Sequence, residues 1–417
     1  MERLPGFRDF YPEPVPNPEV GSAEARQYIF GYWRDCARRY GFCEYDGPPL
    51  EPLELFTIKS GDEIVGQLYH FVDKGERAVA LRPEMTPTLA RMVAAHERNY
   101  RKPIKWFAIP QLFRYERQQK GRLREHFQLN ADIVGEPDVS ADAELLALLI
   151  DTLRSFGLTA EDFVIRLSSR NAWQDFFAKR CGDSSKAHEF YQVIDKLERE
   201  TPEQSEIKLT ALGFSLAQVD AFIQSAEPTP ELSVILNNLS ARGLGDFVKV
   251  DYHVIRGLAY YTGVVFEAFD KHGEFRAIAG GGRYDNLVKL ISGGKVNLPA
   301  LGFGMGDVVL LELLKARGLL PKWGGALDVF CLIEDEDLRP QSLRVIQDLR
   351  TAGRSVEYPL VPAKPDKQFK RALELNAANT LRLERAPNGE LVSKVKNLKT
   401  REEKAFDPGE AVRWLAK

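Results

Sequence analysis

Residues 22–40, SAEARQYIFGYWRDCARRY, carry apolar side chains at helical spacing, and the run ends at Gly41. A strand-like piece follows, then GPPLEP, so the helix leads into an extended segment at Pro48 and Pro49. Residues 104–135 read as two strands joined by a polar loop, and residues 141–156, ADAELLALLIDTLRSF, as a helix with one broad apolar face. From 171 to about 245 the pattern turns helical and more polar and carries no chemical motif, which predicts a helical insertion. Strand character resumes from Phe247 to Ala279 and stops at GGGRYDNL. Beyond the linker-like LPKWGGA the chain alternates strand, helix, strand, helix, strand, through LDVFCLI, RPQSLRVIQDLRTAG, SVEYPLV, KQFKRALELN and TLRLERA. The pattern predicts an α+β domain over residues 1–322, with a mixed, mainly antiparallel sheet flanked by helices and the insertion at about 171–245. A small α/β domain follows over 326–417.

The hairpin within 104–135 holds the first chemical signal. Period-two alternation sorts its second strand into Phe127, Leu129, Ala131 and Ile133 on one face and His126, Gln128, Asn130 and Asp132 on the other. Arg114 and Glu116 share a face of the first strand. Such a surface is either a solvated sheet face or the floor of a polar pocket. The loop QQKGR adds Lys120 and Arg122 around a glycine, so cations rim a floor of donors and acceptors. A polyphosphate bearing a polar organic group needs that arrangement, because planar guanidinium groups grip phosphate oxygens in pairs.

Composition narrows the picture. The chain has 417 residues and a net charge of -3, which suits a protein of two or three domains with local basic surfaces rather than a general nucleic-acid coat. No apolar run is long enough to span a bilayer, and MERLPGFRDFYPEP lacks the features of a targeting segment, so the expectation is a cytoplasmic protein with no membrane partner. Cys36, Cys43, Cys181 and Cys331 lie far apart without metal-ligand spacing, which favours reduced thiols over zinc.

FRYERQQKGRLREHFQ, residues 113–128, resembles motif 2 of the class II aminoacyl-tRNA synthetases in the form found in the histidyl-tRNA synthetase family. Other segments agree in order. PGFRDFYPE resembles the family's N-terminal signature, and the helix leading to Pro48 resembles its dimer-interface element, motif 1. LRPEMT, RGLAYYTGVVFEAF and GGGRYDNL resemble its amino-acid-binding segments, and KQFKRALELNA its anticodon-binding domain. The resemblance implies ATP-dependent activation of L-histidine to histidyl-adenylate and transfer to tRNA(His) by a homodimer. It also implies a class II catalytic domain over 1–322, an anticodon-binding domain over 326–417, and ATP with Mg2+ but no zinc.

It implies roles as well. Arg114 holds the ATP α-phosphate, with Arg256 opposite it in place of the metal that other class II members use. Arg122 contacts the β- and γ-phosphates. Glu116 orients the nucleotide or the tRNA 3′ end, or is simply an ion-pair partner. His126 stands where the family usually has a phenylalanine and takes over the stacking on adenine. Glu84, Thr86 and Gln128 hold the histidine α-amino group. Asp132 accepts from the imidazole at a position where glutamate is common; being one methylene shorter, it requires a closer pocket or a water. Tyr261 reaches the other ring nitrogen, and Tyr284 lines the pocket.

Two positions depart from the pattern. Ala259 replaces an aspartate, and Val309 stands in GFGMGDVVLLELL where motif 3 offers an arginine to ATP, so a cation is missing unless Arg283 or another residue supplies it. Residues 361–404 hold eleven Lys or Arg against six Asp or Glu, a face able to track phosphates. The competing expectation is a synthetase-like regulatory subunit of ATP phosphoribosyltransferase that senses histidine; such paralogues generally lack the anticodon module and erode the ATP arginines.

Overall fold

One long strand, Glu125–Val134, organises the larger sheet. It pairs antiparallel with Ala300–Gly306 on one side and with Ile104–Ala108 on the other. The computed structural model describes residues 2–18, 20–60, 66–115, 123–181, 183–197, 200–255, 261–323 and 327–417. The chain divides into two compact units, Met1–Pro321 and Lys322–Lys417.

Across the nine-stranded sheet the order is Val248–Val250, Phe163–Ser169, Val264–Asp270, Ala279–Arg283, Ala300–Gly306, Glu125–Val134, Ile104–Ala108 and Cys43–Glu44, with Gln111–Phe113 paired to the start of Glu125–Val134. Both edge pairings are parallel and the pairings between them antiparallel. The odd-numbered side chains Leu129, Ala131 and Ile133 enter one core with Ile29 and Trp33 of helix Ala23–Arg39 and Leu145 and Leu149 of helix Ser140–Arg154. Each large aliphatic side chain removed from water this way contributes about 1.5–3 kcal/mol. That anchoring fixes which residues face the other way, since a slip of one residue would exchange the two faces.

Helix Ala23–Arg39 begins where Ser22 accepts the Ala25 N–H, and Gly41 takes a φ of +77° just past its end. The expected first strand of the hairpin is broken into Ile104–Ala108 and Gln111–Phe113. Pro110 lies between them, without an N–H to continue a ladder.

The expectation that strand structure stops at GGGRYDNL is overturned. Residues Ala279–Arg283 form a strand through the glycines, and GFGMG lies wholly within Ala300–Gly306. Glycine is required there by contact: a Cβ on Gly281 would lie 2.2 Å from the carbonyl oxygen of Gly302.

The predicted insertion is helical: Arg170–Ala178, Ala187–Lys196, Pro202–Ala211, Leu216–Ser225 and Pro230–Ala241. Trp173, Phe176, Phe190 and Phe214 are buried together within it. In the second unit the expected strand–helix alternation gives Val356–Glu357, Val329–Leu332 and Asn379–Arg385 as parallel neighbours. Two antiparallel strands, Leu391–Asn397 and Glu403–Phe406, and a final helix, Pro408–Leu415, extend it beyond the five elements read from the pattern.

Candidate active site

The even-numbered side chains of Glu125–Val134 look away from the core. Gln128, Asn130 and Asp132 line a polar cavity of about 80 Å³. Opposite them in register stand Gly306, Gly304 and Gly302, so the neighbouring strand offers backbone where side chains would fill the space. A Cβ on Gly302 would sit 1.9 Å from Asp132 Oδ1, and one on Gly304 would sit 2.7 Å from Gln128 Cδ. The polar side chains lean over this bare strip. The cavity exists because the glycines do.

Five stretches of chain converge on it. Glu84 and Thr86 come from the head of helix Thr86–His96, Arg114 from beyond Gln111–Phe113, and Gln128 and Asp132 from the long strand. Tyr261 precedes Val264–Asp270, and Tyr284 follows Ala279–Arg283. Seven residues expected at one site therefore line one cavity. Glu116, Arg122 and Arg256, with Lys120 and Ala259, lie outside the described residues.

The LRPE segment is held rigidly. Arg82 is buried and donates to the carbonyls of Gln111 and Gly47 at 3.1 and 2.6 Å, and to Asp46 at 3.1 Å. Arg114 donates through Nε to the Pro83 carbonyl at 3.0 Å, which fixes the plane of its guanidinium beside Glu84.

Asp132 is a strongly perturbed carboxyl of the cavity. Burial pushes it up to about 7, and a short bond from the Tyr284 hydroxyl, 2.5 Å to Oδ1, opposes that shift only in part. Its hydrogen-bond partner among the described residues is this neutral donor. Tyr45 packs against the cluster that contains Tyr284, and its hydroxyl is buried without a hydrogen-bond partner among the described residues. An orphaned buried hydroxyl costs about 1–3 kcal/mol, so it marks a place where another group is expected. Sequence reasoning missed Tyr45, which reads there as the end of a strand-like piece before GPP.

His126 shares the face of Gln128 but does not line the cavity. Burial, then the positive charges of Arg114 and Arg8, push its imidazole down to about 3, so it is neutral near pH 7. Phe127, expected in the core, is half-buried and lies edge-on to Phe10 and Phe30 at 6.1 and 5.1 Å, outside the main core cluster.

Three ion pairs, centred on two arginines, fix the frame, and none was legible beforehand. Arg8 binds Glu125 at 2.7 Å and Asp307 at 2.9 Å, while Asp307 also accepts the Phe127 N–H at 2.9 Å. The N-terminal segment and the head of helix Asp307–Ala316 are thereby tied to the long strand. Arg283 donates to Asp142 at 2.7 and 2.8 Å and to the carbonyls of Glu136 and Asp138 at 3.2 and 2.7 Å. It is spent on the frame, which corrects the expectation that it could stand in for the cation missing at position 309. Val309 itself packs against the main core. Among the described residues no group of three or more His, Cys, Asp or Glu could hold a metal ion.

Comparison with known proteins gives the family and the fold. The family model described as histidyl-tRNA synthetase matches residues 18–307. A histidine–tRNA ligase of Opitutus terrae is 45% identical, over 97% of this chain and 95% of the relative. The chloroplastic/mitochondrial histidine–tRNA ligase of Arabidopsis thaliana is 38% identical, over 89% of this chain and 78% of its own length. Among solved structures, the histidyl-tRNA synthetase of Nostoc sp. PCC 7120 superposes with a TM-score of 0.76 at 22% identity, covering 97% of both chains, a likeness of fold. With the family model matching residues 18–307 and a relative 45% identical over 97% of the chain, this chain belongs to the histidyl-tRNA synthetase family.

Proposed function

We propose that the cavity binds L-histidine, that the cleft around Arg114 binds ATP as its Mg2+ complex, and that the two are joined to histidyl-adenylate before the histidyl group passes to the 3′ end of tRNA(His). One observation carries this reading: Arg114, Glu84, Thr86, Gln128, Asp132, Tyr261 and Tyr284, far apart along the chain, line one small polar cavity with an acidic floor.

Glu84, Thr86 and Gln128 take the α-amino group, which turns the substrate carboxylate toward Arg114. A carboxylate oxygen attacks the α-phosphorus and the bond to pyrophosphate breaks, with no proton transferred. The carboxylate is already ionised at neutral pH, so positioning and charge do the work. Arg114 meets the charge growing on the α-phosphoryl oxygens, and Arg256 is assigned the opposite side. A lost donor of this kind costs on the order of several kcal/mol in the transition state. Arg122 is assigned the β- and γ-phosphates and Glu116 the nucleotide or the tRNA end. The neutral His126 ring, further out along the same strand face, is suited to stack on adenine. Asp132 accepts an imidazole N–H, Tyr261 meets the other ring nitrogen, and Tyr284 holds Asp132 in place. Zinc has no part in this scheme.

In the second unit, Phe369, Lys370, Arg382, Lys394 and Lys396 line a groove of about 370 Å³ together with Glu334, Asp366 and Glu403, and Arg382 and Lys394 are paired with Glu384. Cations beside an aromatic ring suit phosphates and an unstacked base, which supports tRNA binding by residues 326–417. The same reading takes the chain to act as a homodimer in the cytoplasm. Relatives named as ligases along nearly their whole length support catalysis over the regulatory alternative.

Histidine-dependent exchange of labelled pyrophosphate into ATP tests the proposal, with other amino acids as controls. Exchange with histidine alone is expected. Its absence would favour the regulatory reading, and exchange with a different amino acid would overturn the assignment of the pocket.

A further inference from the structure

Cys43, Trp106 and Asp132 form one row across three adjacent strands. Tyr45 lies two residues beyond Cys43, where its backbone N–H bonds to the Phe107 carbonyl at 2.9 Å. Its ring lies 5.5 Å from that of Trp106, and both pack against the cluster that contains Tyr284. Trp106, the register partner of Asp132, is thus in ring contact with Tyr45 on the same sheet face. Tyr284 comes from the glycine strands, and Tyr45 from the opposite edge of the sheet.

The two tyrosines differ in what their hydroxyls do. Tyr284 donates to Asp132 Oδ1. The Tyr45 hydroxyl is buried without a hydrogen-bond partner among the described residues. Burial first, then the charge of Asp132, hold it well above the ordinary tyrosine range, with Arg82 opposing. A buried hydroxyl left without a partner, on the sheet face that carries a buried carboxyl, is commonly met by a water.

We propose that Tyr45 is a positioning residue for histidine specificity, its hydroxyl holding a water against Asp132 so that tyrosine and water together make up the length an aspartate lacks at the floor of the pocket. This rests on the reading of Asp132 as the acceptor of the substrate imidazole. Tyr284 fixes one carboxyl oxygen and the Tyr45 water fixes the orientation of the other, which leaves a lone pair aimed at the ring N–H. Without the second hydroxyl the short side chain rotates about a single bonded oxygen, and the ring meets a poorly aimed acceptor. The effect falls on histidine binding, because Tyr45 touches neither the phosphates nor the attacking carboxylate.

The test is pyrophosphate exchange by the full chain carrying Tyr45→Phe, which keeps the ring stacked on Trp106 and removes only the hydroxyl. The KM for histidine should rise about five- to tenfold, with kcat and the KM for ATP changed less than about twofold, as suits one lost hydrogen bond in the ground state. In an Asp132→Glu background the added methylene replaces the bridge, and Tyr45→Phe should then change the KM for histidine by less than about twofold. An unchanged KM in the otherwise native chain, or an equal rise in both backgrounds, overturns the inference. If Asp132→Glu proves inactive, the split between KM and kcat in the native background decides alone. A native chain without histidine-dependent exchange would instead sink the assignment of the pocket, so the two failures are distinguishable.

Discussion

Asp132 and Asp142 are both buried carboxyls, ten residues apart, and they do opposite things. Asp142 receives two guanidinium nitrogens of Arg283, and even so burial pushes it up to about 6. Asp132 receives a tyrosine hydroxyl and rises to about 7. The first carboxyl has its counter-charge built into the frame. The second is given a weak neutral donor and placed against a cavity. A buried acid supplied with an arginine reads as a fastening, whereas one supplied only with a hydroxyl, in a space that admits a small molecule, reads as an acceptor awaiting a ligand.

Removing each acid should separate the two cases. Asp142→Ala leaves Arg283 buried without its carboxylate, and denaturant unfolding should report a loss of about 3–5 kcal/mol. The fraction that stays folded should keep its KM for histidine; a raised KM would mean that Asp142 also serves the site. Asp132→Asn should cut kcat/KM for histidine roughly a hundredfold in pyrophosphate exchange, as expected for losing a charged acceptor. It should not destabilise the fold, because it removes a charge that burial disfavours. A cooperative loss of structure in this variant would place Asp132 with the fastenings.

Gly302→Ala sits between these extremes. Its new Cβ would meet Asp132 Oδ1 at 1.9 Å and drive the carboxyl off the Tyr284 hydroxyl. Overpacking of this sort costs about 1–3 kcal/mol of stability, and the KM for histidine should rise about tenfold. An unchanged KM would show that the carboxyl does not need its present seat.

The smallest effect is a slope with pH. The Asp132 carboxyl lies near 7 in the fold against an ordinary 3.8. The folded chain therefore holds this proton more tightly than the unfolded chain, and the group's contribution to stability falls as pH rises through that interval and levels off above it. Thermal unfolding of the native chain and of Asp132→Asn should consequently diverge between about pH 4 and pH 7, the variant gaining as the pH rises, with a constant gap above that. In the native chain the KM for histidine should fall over the same rise in pH, as the acceptor ionises. Parallel melting curves would contradict the shift.

Much of this could be read from residue order alone, for a physical reason. Alternation along 125–134 assigned His126, Gln128, Asn130 and Asp132 to one face because period two is strict and the odd positions are unmistakably apolar. The helices of residues 22–40 and 141–156 were equally plain. The glycine-rich strands were not, since glycine favours no strand and its runs look like turns; only register revealed that Gly302 and Gly304 make room for Asp132 and Gln128. Arg283 looked available for phosphate because it follows three glycines, and its commitment to Asp142 depends on a contact 141 residues away in sequence. Arg8, Glu125 and Asp307 escaped notice for the same reason. Tyr45 carries no local signal at all, being distinguished only by what surrounds its hydroxyl.

The bare strip under the substrate also limits what redesign can achieve. A recess walled by leucines or phenylalanines can be widened by trimming them, but at positions 302 and 304 there is nothing left to trim. Every substitution on that side makes the recess shallower, so a version that accepts a bulkier amino acid must be sought at Tyr261 and Tyr284, where removable atoms still stand.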